Sequence, residues 1–267
     1  MAKTLLITGA TDGIGLETVK LIAPLGHKLL LHGRSAEKLA AVTGALATVK
    51  GVGEIRTYQA DLSDLSQVRD MAETVKSDVQ SIDVLINNAG VFKMANPLTK
   101  DGFDVRFIVN VVAPYLLTKA LLPLLGSQGR VVNLSSAAQA PVNLQAFLEK
   151  QPFGDGEAYA QSKLALTMWS MGMAHELGPD GPMIVAVNPA SFLGSKMVKE
   201  AYGHAGHDLR IGADILMRAA FSAEFRAASG RYYDNDRKAF AAPHPDALDP
   251  SKNRQLIDTL EQMITSP

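Results

Sequence analysis

Short apolar runs alternate along the chain with longer stretches of helical period. Residues 4–8 (TLLIT), 28–32 (KLLLH), 55–59, 84–87, 130–134 and 183–188 read as strands. Between them, residues 14–25 place Leu16, Val19, Leu21 and Ile22 at helical spacing, and 35–49, 64–79, 101–125 and 159–177 follow the same period. Ser35 can cap its helix, and Pro114 predicts a bend in the helix over 101–125. Strands this short and apolar belong inside a parallel sheet covered on both faces. Right-handed crossovers then put helices on both sides, which predicts a doubly wound α/β fold. No repeat, linker or low-complexity stretch interrupts the pattern, and residues 178–182 and 243–250 read as loops. The expectation is one domain over 1–267.

Composition narrows the class. At 47% hydrophobic and 20% charged residues the chain is an ordinary globular sequence and not a disordered one. Its 26 Lys and Arg against 27 Asp and Glu give a net charge of −1, so nothing attracts it to nucleic acid or to an anionic membrane. The absence of cysteine removes disulfides, thiolate catalysis, zinc–thiolate sites and Fe–S clusters. The apolar segment 108–125 is interrupted by Asn110, Pro114, Tyr115, Thr118 and Lys119 and is not read as a membrane span. Leu5-Leu6-Ile7 is too short for a signal-peptide core. These features predict a soluble, cytoplasmic protein.

The first strand runs straight into Thr8-Gly9-Ala10-Thr11-Asp12-Gly13-Ile14-Gly15 and then a helix. Glycines there permit a tight turn and let a pyrophosphate approach the backbone, while the helix N-terminus offers unpaired N–H groups. In a βαβ setting the pattern points to a dinucleotide, with Gly9, Thr11, Asp12, Gly13, Ile14 and Gly15 around it. A site for NAD carries an acid about 20 residues on, to hold the ribose 2′-hydroxyl. The second strand instead ends His32-Gly33-Arg34-Ser35, and Arg34 is suited to a 2′-phosphate. NADP is therefore expected, with NAD as the alternative. Asp12 runs against this, since a carboxylate turned inward would repel phosphate.

Tyr159-Ala160-Gln161-Ser162-Lys163 opens a helix, and residues four apart share a helical face. A lysine beside a tyrosine favours the phenolate, bringing a pKa of ~10 toward neutrality. Alone, such a pair is common. Together with Thr8-Gly9-x3-Gly13-x-Gly15, Asp61-Leu62, Asn87-Asn88-Ala89-Gly90, Asn110 and Ser135-Ser136, all in order, the chain resembles the short-chain dehydrogenase/reductase family. The run 158–165, Gly230-Arg231-Tyr232-Tyr233 and a Pro- and Asp-rich tail before a last helix resemble its retinol-dehydrogenase-like branch.

The resemblance implies a role for each residue. Tyr159 would be the general acid or base, and Lys163 would lower its pKa and hold the nicotinamide ribose. Ser136 would donate to the substrate oxygen, and Asn110 would hold a water that relays protons to Lys163. Asp61 and Leu62 would contact adenine, and Asn88, Ala89 and Gly90 would line the ribose side. Pro189 and Ser195 would meet the nicotinamide end. The substrate would be a small to medium, apolar carbonyl or secondary alcohol, flanked by Val91, Phe92, Met94, Val142, Phe192 and Met197. Pairing through the helices 101–125 and 159–177 would give a homodimer or homotetramer.

The sequence departs from the family at three places. Ser136 and Tyr159 stand 23 positions apart, more than is usual, so residues 137–158, like 190–210, are expected to be substrate-side loops. Pro189-Ala190 replaces Pro-Gly, and Ser191 to Lys196 replaces a threonine-containing turn. Other signals carry less. Asn133-Leu134-Ser135 ends a central strand, His175-Glu176 and the His204/His207 pair lack metal-site spacing, and Met168, Met171 and Met173 fill packing gaps. There is no G-x-S-x-G, and Asp234-Asn235-Asp236 starts like a calcium loop but lacks the required Gly and Glu. The rival readings are a non-catalytic dinucleotide-binding sensor and a lyase or epimerase on a related fold.

Overall fold

The central strands bury both faces, which is why their sequences are nearly continuous in apolar residues. A computed structural model describes residues 2–203 and 206–265. Its strands are β1 (Thr4–Ile7), β2 (Lys28–Gly33), β3 (Ile55–Gln59), β4 (Val84–Asn87), β5 (Arg130–Leu134), β6 (Met183–Asn188), β7 (Arg231–Asp234) and β8 (Ala239–Ala241). They form one sheet in the order β3-β2-β1-β4-β5-β6-β7-β8, parallel except for the β7–β8 hairpin. The helices are α1 (Gly13–Ile22), α2 (Ala36–Leu46), α3 (Leu65–Asp78), α4 (Val105–Leu125), α5 (Leu144–Leu148), α6 (Asp155–Leu177), α7 (Lys196–Tyr202), α8 (Leu209–Phe221) and α9 (Pro250–Thr265).

Strand periodicity divides the core in two. Leu6, Leu30, Leu85 and Ile184 point to the layer of α3, α4, α6 and α9. Leu5, Ile7, Leu29, Leu31, Ile86 and Val185 point to the layer of α1, α2 and α8. Each such side chain contributes about 1.5–3 kcal/mol by leaving water. Near the strand ends the first layer turns polar: Asn87 Nδ2 donates to Thr118 Oγ1 at 3.0 Å and to Asn133 Oδ1 at 2.8 Å, and Asn133 Nδ2 donates to Ser170 Oγ at 2.7 Å.

Several expectations change; among them, the helix expected from Tyr159 starts at Asp155, and α5 forms within the segment expected to be a loop. The irregularity in α4 lies just before Pro114, in a π-helical turn over Ile108–Val112, and Pro114 sits where the next α-helical segment begins. α4 also starts at Val105, capped by Asp104, whose carboxylate accepts from Arg106 N at 2.8 Å. The β7–β8 hairpin, not predicted, extends the sheet by two edge strands. α8 was not predicted either, because Gly212 weakens its helical signal; an ideal Cβ there would come within 2.7 Å of Leu193 Cδ1. His204 lies outside the described residues.

α4 is long and apolar enough to cross a membrane by composition, and most of it is buried inside the fold. Every residue of α6 from Gln161 to Ser170 is buried within the single chain. α9 provides the outer cover through Leu256, Ile257 and Leu260. An ideal Cβ on Gly172 would stand 2.6 Å from Ile257 Cδ1, so the two helices are in tight contact. Glu261 of α9 meets Tyr115 and Lys119 of α4, and Arg254 pairs with Glu176 at 3.0 Å. Within the chain α9 thus covers part of α6 and reaches α4 through Glu261, on the face that the resemblance assigned to subunit pairing.

Candidate active site

The parallel strands end along one edge of the sheet, and the turns that follow them surround a cleft of about 930 Å³, at the upper end of the range for cofactor sites. The glycine turn forms its floor. Gly9 has φ +65°, and an ideal Cβ on Gly15 would lie 2.2 Å from Gly9 O, so neither position tolerates a side chain. Asn88 Nδ2 donates to Thr8 O at 2.8 Å and to Gly9 O at 3.1 Å, and Thr8 Oγ1 accepts from the backbone N–H of Asn88 and Ala89. Asn88 thus serves the turn itself as well as lining the cleft beside Ala89 and Gly90. His32, which sequence reasoning passed over, is buried beneath: Gly9 N donates to its Nδ1 at 3.3 Å and its Nε2 reaches Ala60 O at 3.1 Å. Burial lowers its pKa and keeps the ring neutral, which is the state able to accept from Gly9. Its only outward signal was a polar residue inside an apolar strand.

Arg34 is exposed where β2 ends, lines the cleft and has no ion-pair partner among the described residues. Lys38, one turn into α2, lines the same end and was not singled out from the sequence. The concern over Asp12 is resolved by its partners. Its carboxylate caps α1 by accepting from Gly13 N at 2.8 Å and pairs with Lys38 Nζ at 3.0 Å. The Lys38 contact is the main reason its pKa falls below the usual carboxylate value. Asp61 and Leu62 both line the cleft, with Asp61 Oδ1 accepting from Ser63 N and Oγ and Leu62 largely buried in the core. Thr11, Gly13 and Ile14 line it too, while Gly15 stands behind the turn.

The proposed chemistry converges on the middle of the cleft. Tyr159, Lys163 and Ser136 all line it, with Lys163 Nζ 5.6 Å from the Tyr159 ring centroid. The lysine is fully enclosed, donates to Leu134 O at 2.6 Å, and is pushed down to a pKa of about 8 by burial. The serine pair divides its work. Ser135 is buried against Thr167 Oγ1 at 2.6 Å, whereas Ser136 Oγ accepts from Ala138 N at 3.1 Å and keeps its own proton for a partner in the cleft. Tyr232 of β7 holds this turn by donating to Ser136 O at 3.1 Å. The Asn110 side chain, by contrast, lies behind the cleft. Its Oδ1 accepts from Val91 N at 2.8 Å and its Nδ2 donates to Val91 O and Ser162 Oγ, both at 2.9 Å. Those bonds fasten the π-helical turn to the strand-four loop through the Asn110 side chain.

Arg106, in α4 just before the π-helical turn, was also missed in the sequence. It is 1% exposed and bonded to both oxygens of Asp104, to Asp155 at the start of α6, and to Phe153 O. The segment 137–158 supports this region more than it lines the site: Phe147 stacks on Phe107 at 4.6 Å, Phe153 lies against the same ring, and Val142 packs into the core. Of the named residues in that segment only Ala138 reaches the cleft. On the opposite wall, Pro189 lines the cleft, and Ser195 caps α7 by accepting from Val198 N at 3.2 Å. An ideal Cβ on Gly13 would be 3.7 Å from Ser195 Cβ, so this serine lies over the glycine turn. Phe92, edge-on to the Tyr159 ring at 4.7 Å, joins Val91, Met94, Phe192 and Met197 in an apolar lining.

Comparison with known proteins fits this geometry. The family model of short chain dehydrogenases matches residues 3–205. Retinol dehydrogenase 13 of Mus musculus is 29% identical, with 95% of this chain and 81% of that protein aligned. Polyprenol dehydrogenase of Homo sapiens is 29% identical over 87% of this chain and 77% of its own length. Among solved structures, a short chain dehydrogenase from Burkholderia cenocepacia J2315 in complex with NADP superposes with a TM-score of 0.70 at 28% identity, covering 87% of this chain and 95% of that one. A glycine turn under a dinucleotide-sized cleft, a Tyr–x3–Lys pair facing it and a family match over most of the length lead to one conclusion: the chain belongs to the short-chain dehydrogenase/reductase family, whose NAD(P)-dependent enzymes interconvert CH–OH and C=O groups.

Proposed function

We propose that this enzyme uses NADP(H) and acts on an apolar carbonyl or secondary alcohol of small to medium size. The observation that carries the cofactor reading is the pair of cations at the end of β2. Arg34 and Lys38 line the cleft where an NAD site would carry an acid, and Asp12 is already matched by Lys38. A planar guanidinium without a competing carboxylate suits a 2′-phosphate bidentately. The substrate reading rests on Phe92, Met94, Phe192 and Met197, which line the cleft with Tyr159.

The glycine turn and the N-terminus of α1 would hold the pyrophosphate, and the bound nicotinamide supplies or accepts the hydride. In reduction, Tyr159 Oη gives a proton to the carbonyl oxygen as the carbon gains hydride, and oxidation reverses both transfers. Ser136 Oγ–H donates to the same oxygen, where negative charge grows in the transition state. Lys163 keeps a positive charge beside the phenol and so eases its ionisation. A purely sensing role needs none of these three groups in the cleft.

Fluorescence titration with NADPH and NADH tests the cofactor reading. NADPH is expected to bind at least tenfold more tightly, a difference of about 1.4 kcal/mol, and Arg34→Ala should erase most of it. Equal affinities in the wild type, or an equal loss for both nucleotides in the variant, would remove Arg34 from the 2′-phosphate. A panel of apolar and polar carbonyls, followed by nicotinamide absorbance, tests the substrate class.

A further inference from the structure

The cleft wall after β6 is held in a conformation its own residues disfavour. Ala190 has φ +118° and Phe192 has φ +53°. Side-chain-bearing residues seldom adopt such angles, and they persist only where surrounding structure over-determines them. The surrounding structure here is the turn between β7 and β8. Asp236 Oδ1 accepts from Ser191 N at 2.9 Å, and its Oδ2 accepts from Ser191 Oγ at 2.7 Å and Asn188 Nδ2 at 2.9 Å. Asn188 Nδ2 also donates to Asp234 Oδ1 at 2.9 Å. Asn235 completes the attachment, with Nδ2 donating to Pro189 O at 2.9 Å and its backbone N–H to Asn188 O at 3.1 Å. Asn188, Pro189 and Ser191 are therefore each bonded to the hairpin turn, and Ala190 is stretched between them.

Beyond the strained segment the wall is fixed a second time. His207 N donates to Phe192 O at 2.7 Å, and Gly194 N donates to His207 O at 2.6 Å. Residues 188–193 line the cleft, so any slack between these two attachments would move a wall of the site. Asp236 itself is suited to a fixed anionic anchor. Burial pushes its pKa up, but the donors on Ser191 and Asn188 and the nearby His207 outweigh that and leave it below the ordinary value.

We propose that Asp236 is a positioning residue of the active site: from a turn outside the catalytic machinery, its carboxylate holds Ala190 in its strained conformation and so sets the cleft wall from Pro189 to Phe192. This rests on reading the cleft as a nicotinamide–substrate site, though not on which nucleotide binds. It also gives work to an Asp-Asn-Asp run that fits no calcium loop. The carboxylate is needed because residue 190 carries a Cβ. A glycine there would adopt φ +118° without cost and would make the anchor largely redundant.

The test is a double-mutant cycle between Asp236→Asn and Ala190→Gly, read with whichever nicotinamide nucleotide the wild type binds more tightly. Asp236→Asn is expected to lower kcat/KM about tenfold, mostly through KM, and to weaken nucleotide binding several-fold. In the Ala190→Gly background the same substitution should cost less than threefold. Ser191→Ala, which removes one bond from the anchor without altering the hairpin, should show a smaller effect with the same dependence on residue 190. It takes the place of Asp236→Asn if that variant does not fold. Equal fold-losses in both backgrounds, or a loss confined to kcat with KM and nucleotide affinity unchanged, would overturn the proposal. Because nucleotide affinity is one of the readouts, the cycle can be completed whatever the preferred cofactor or substrate proves to be.

Discussion

Arg106→Met removes a guanidinium from between α4 and α6, the helix that carries Tyr159 and Lys163. Asn110 lies one turn after Arg106 on α4, and Tyr159 lies one turn after Asp155 on α6, so the ion cluster fixes the approach of those two turns. Arg106 is 1% exposed and Asp104 4%, with bonds of 2.9 and 2.6 Å between them. Taking away one partner leaves Asp104 buried and uncompensated, a change that typically costs about 3–5 kcal/mol. For a chain of this size that corresponds to a drop in Tm of roughly 10 °C, at about 2–4 °C per kcal/mol. Replacing both charges, as in Asp104→Asn with Arg106→Met, leaves no buried charge unpaired and should recover more than half of the loss. The assay is urea or thermal unfolding of the two single variants and the double, with kcat measured on each folded sample. In Arg106→Met, kcat should fall more than KM rises, because the geometry between Tyr159 and the cleft is what loosens. A loss below about 1 kcal/mol would refute the buried-charge reasoning. Full kcat in a clearly destabilised variant would refute the link to the catalytic turns.

Two further outcomes follow from burial elsewhere. Lys163 titrates near 8 in the fold against 10.5 for the free side chain, so the unfolded chain holds the extra proton between those values. At neutral pH this burial opposes folding by about 3 kcal/mol, and stability should rise as pH climbs from about 8 to about 10.5. Lys163→Met should flatten that rise in urea titrations; an unchanged slope would place the effect on another group. Because α9 packs over α6 and reaches α4 through Glu261, the chain should not associate through those two helices. Hydrogen exchange that becomes more protected on α4 or α6 with rising protein concentration would contradict this.

Much of the fold was legible because buried parallel strands and amphipathic helices leave different periods. The strands 55–59, 84–87, 130–134 and 183–188 were read at the bounds that the structure gives. β7 was not, since Tyr232 and Tyr233 between Arg231 and Asp234 are too few to establish a period, and their burial depends on β6 beside them. The site was legible as far as residue type announces chemistry. Tyr159, Lys163, Ser136, Arg34 and the glycine turn all line one cleft because the strands preceding them end along one edge of the sheet. What the sequence could not express is how second-layer groups are used. His32 and Arg106 look like stray polar residues in apolar runs until their partners, distant in the chain, are known. Nor did the sequence express that the Asn110 side chain ties the strand-four loop to α4 through three hydrogen bonds to Val91 and Ser162. The backbone of Ala190 is set by residues 44 and more positions away, so no local pattern foretold it.

The most direct test of the catalytic centre is Tyr159→Phe, measured by nicotinamide absorbance for turnover and by fluorescence for nucleotide affinity. Phenylalanine keeps the ring that packs against Phe92 and removes the only proposed proton donor. Turnover should fall by at least 10²-fold, the lower range for loss of a positioned general acid, with nucleotide affinity within about threefold of wild type. Retention of full turnover with the nucleotide still bound would contradict the assignment of Tyr159 as the group that exchanges a proton with the substrate.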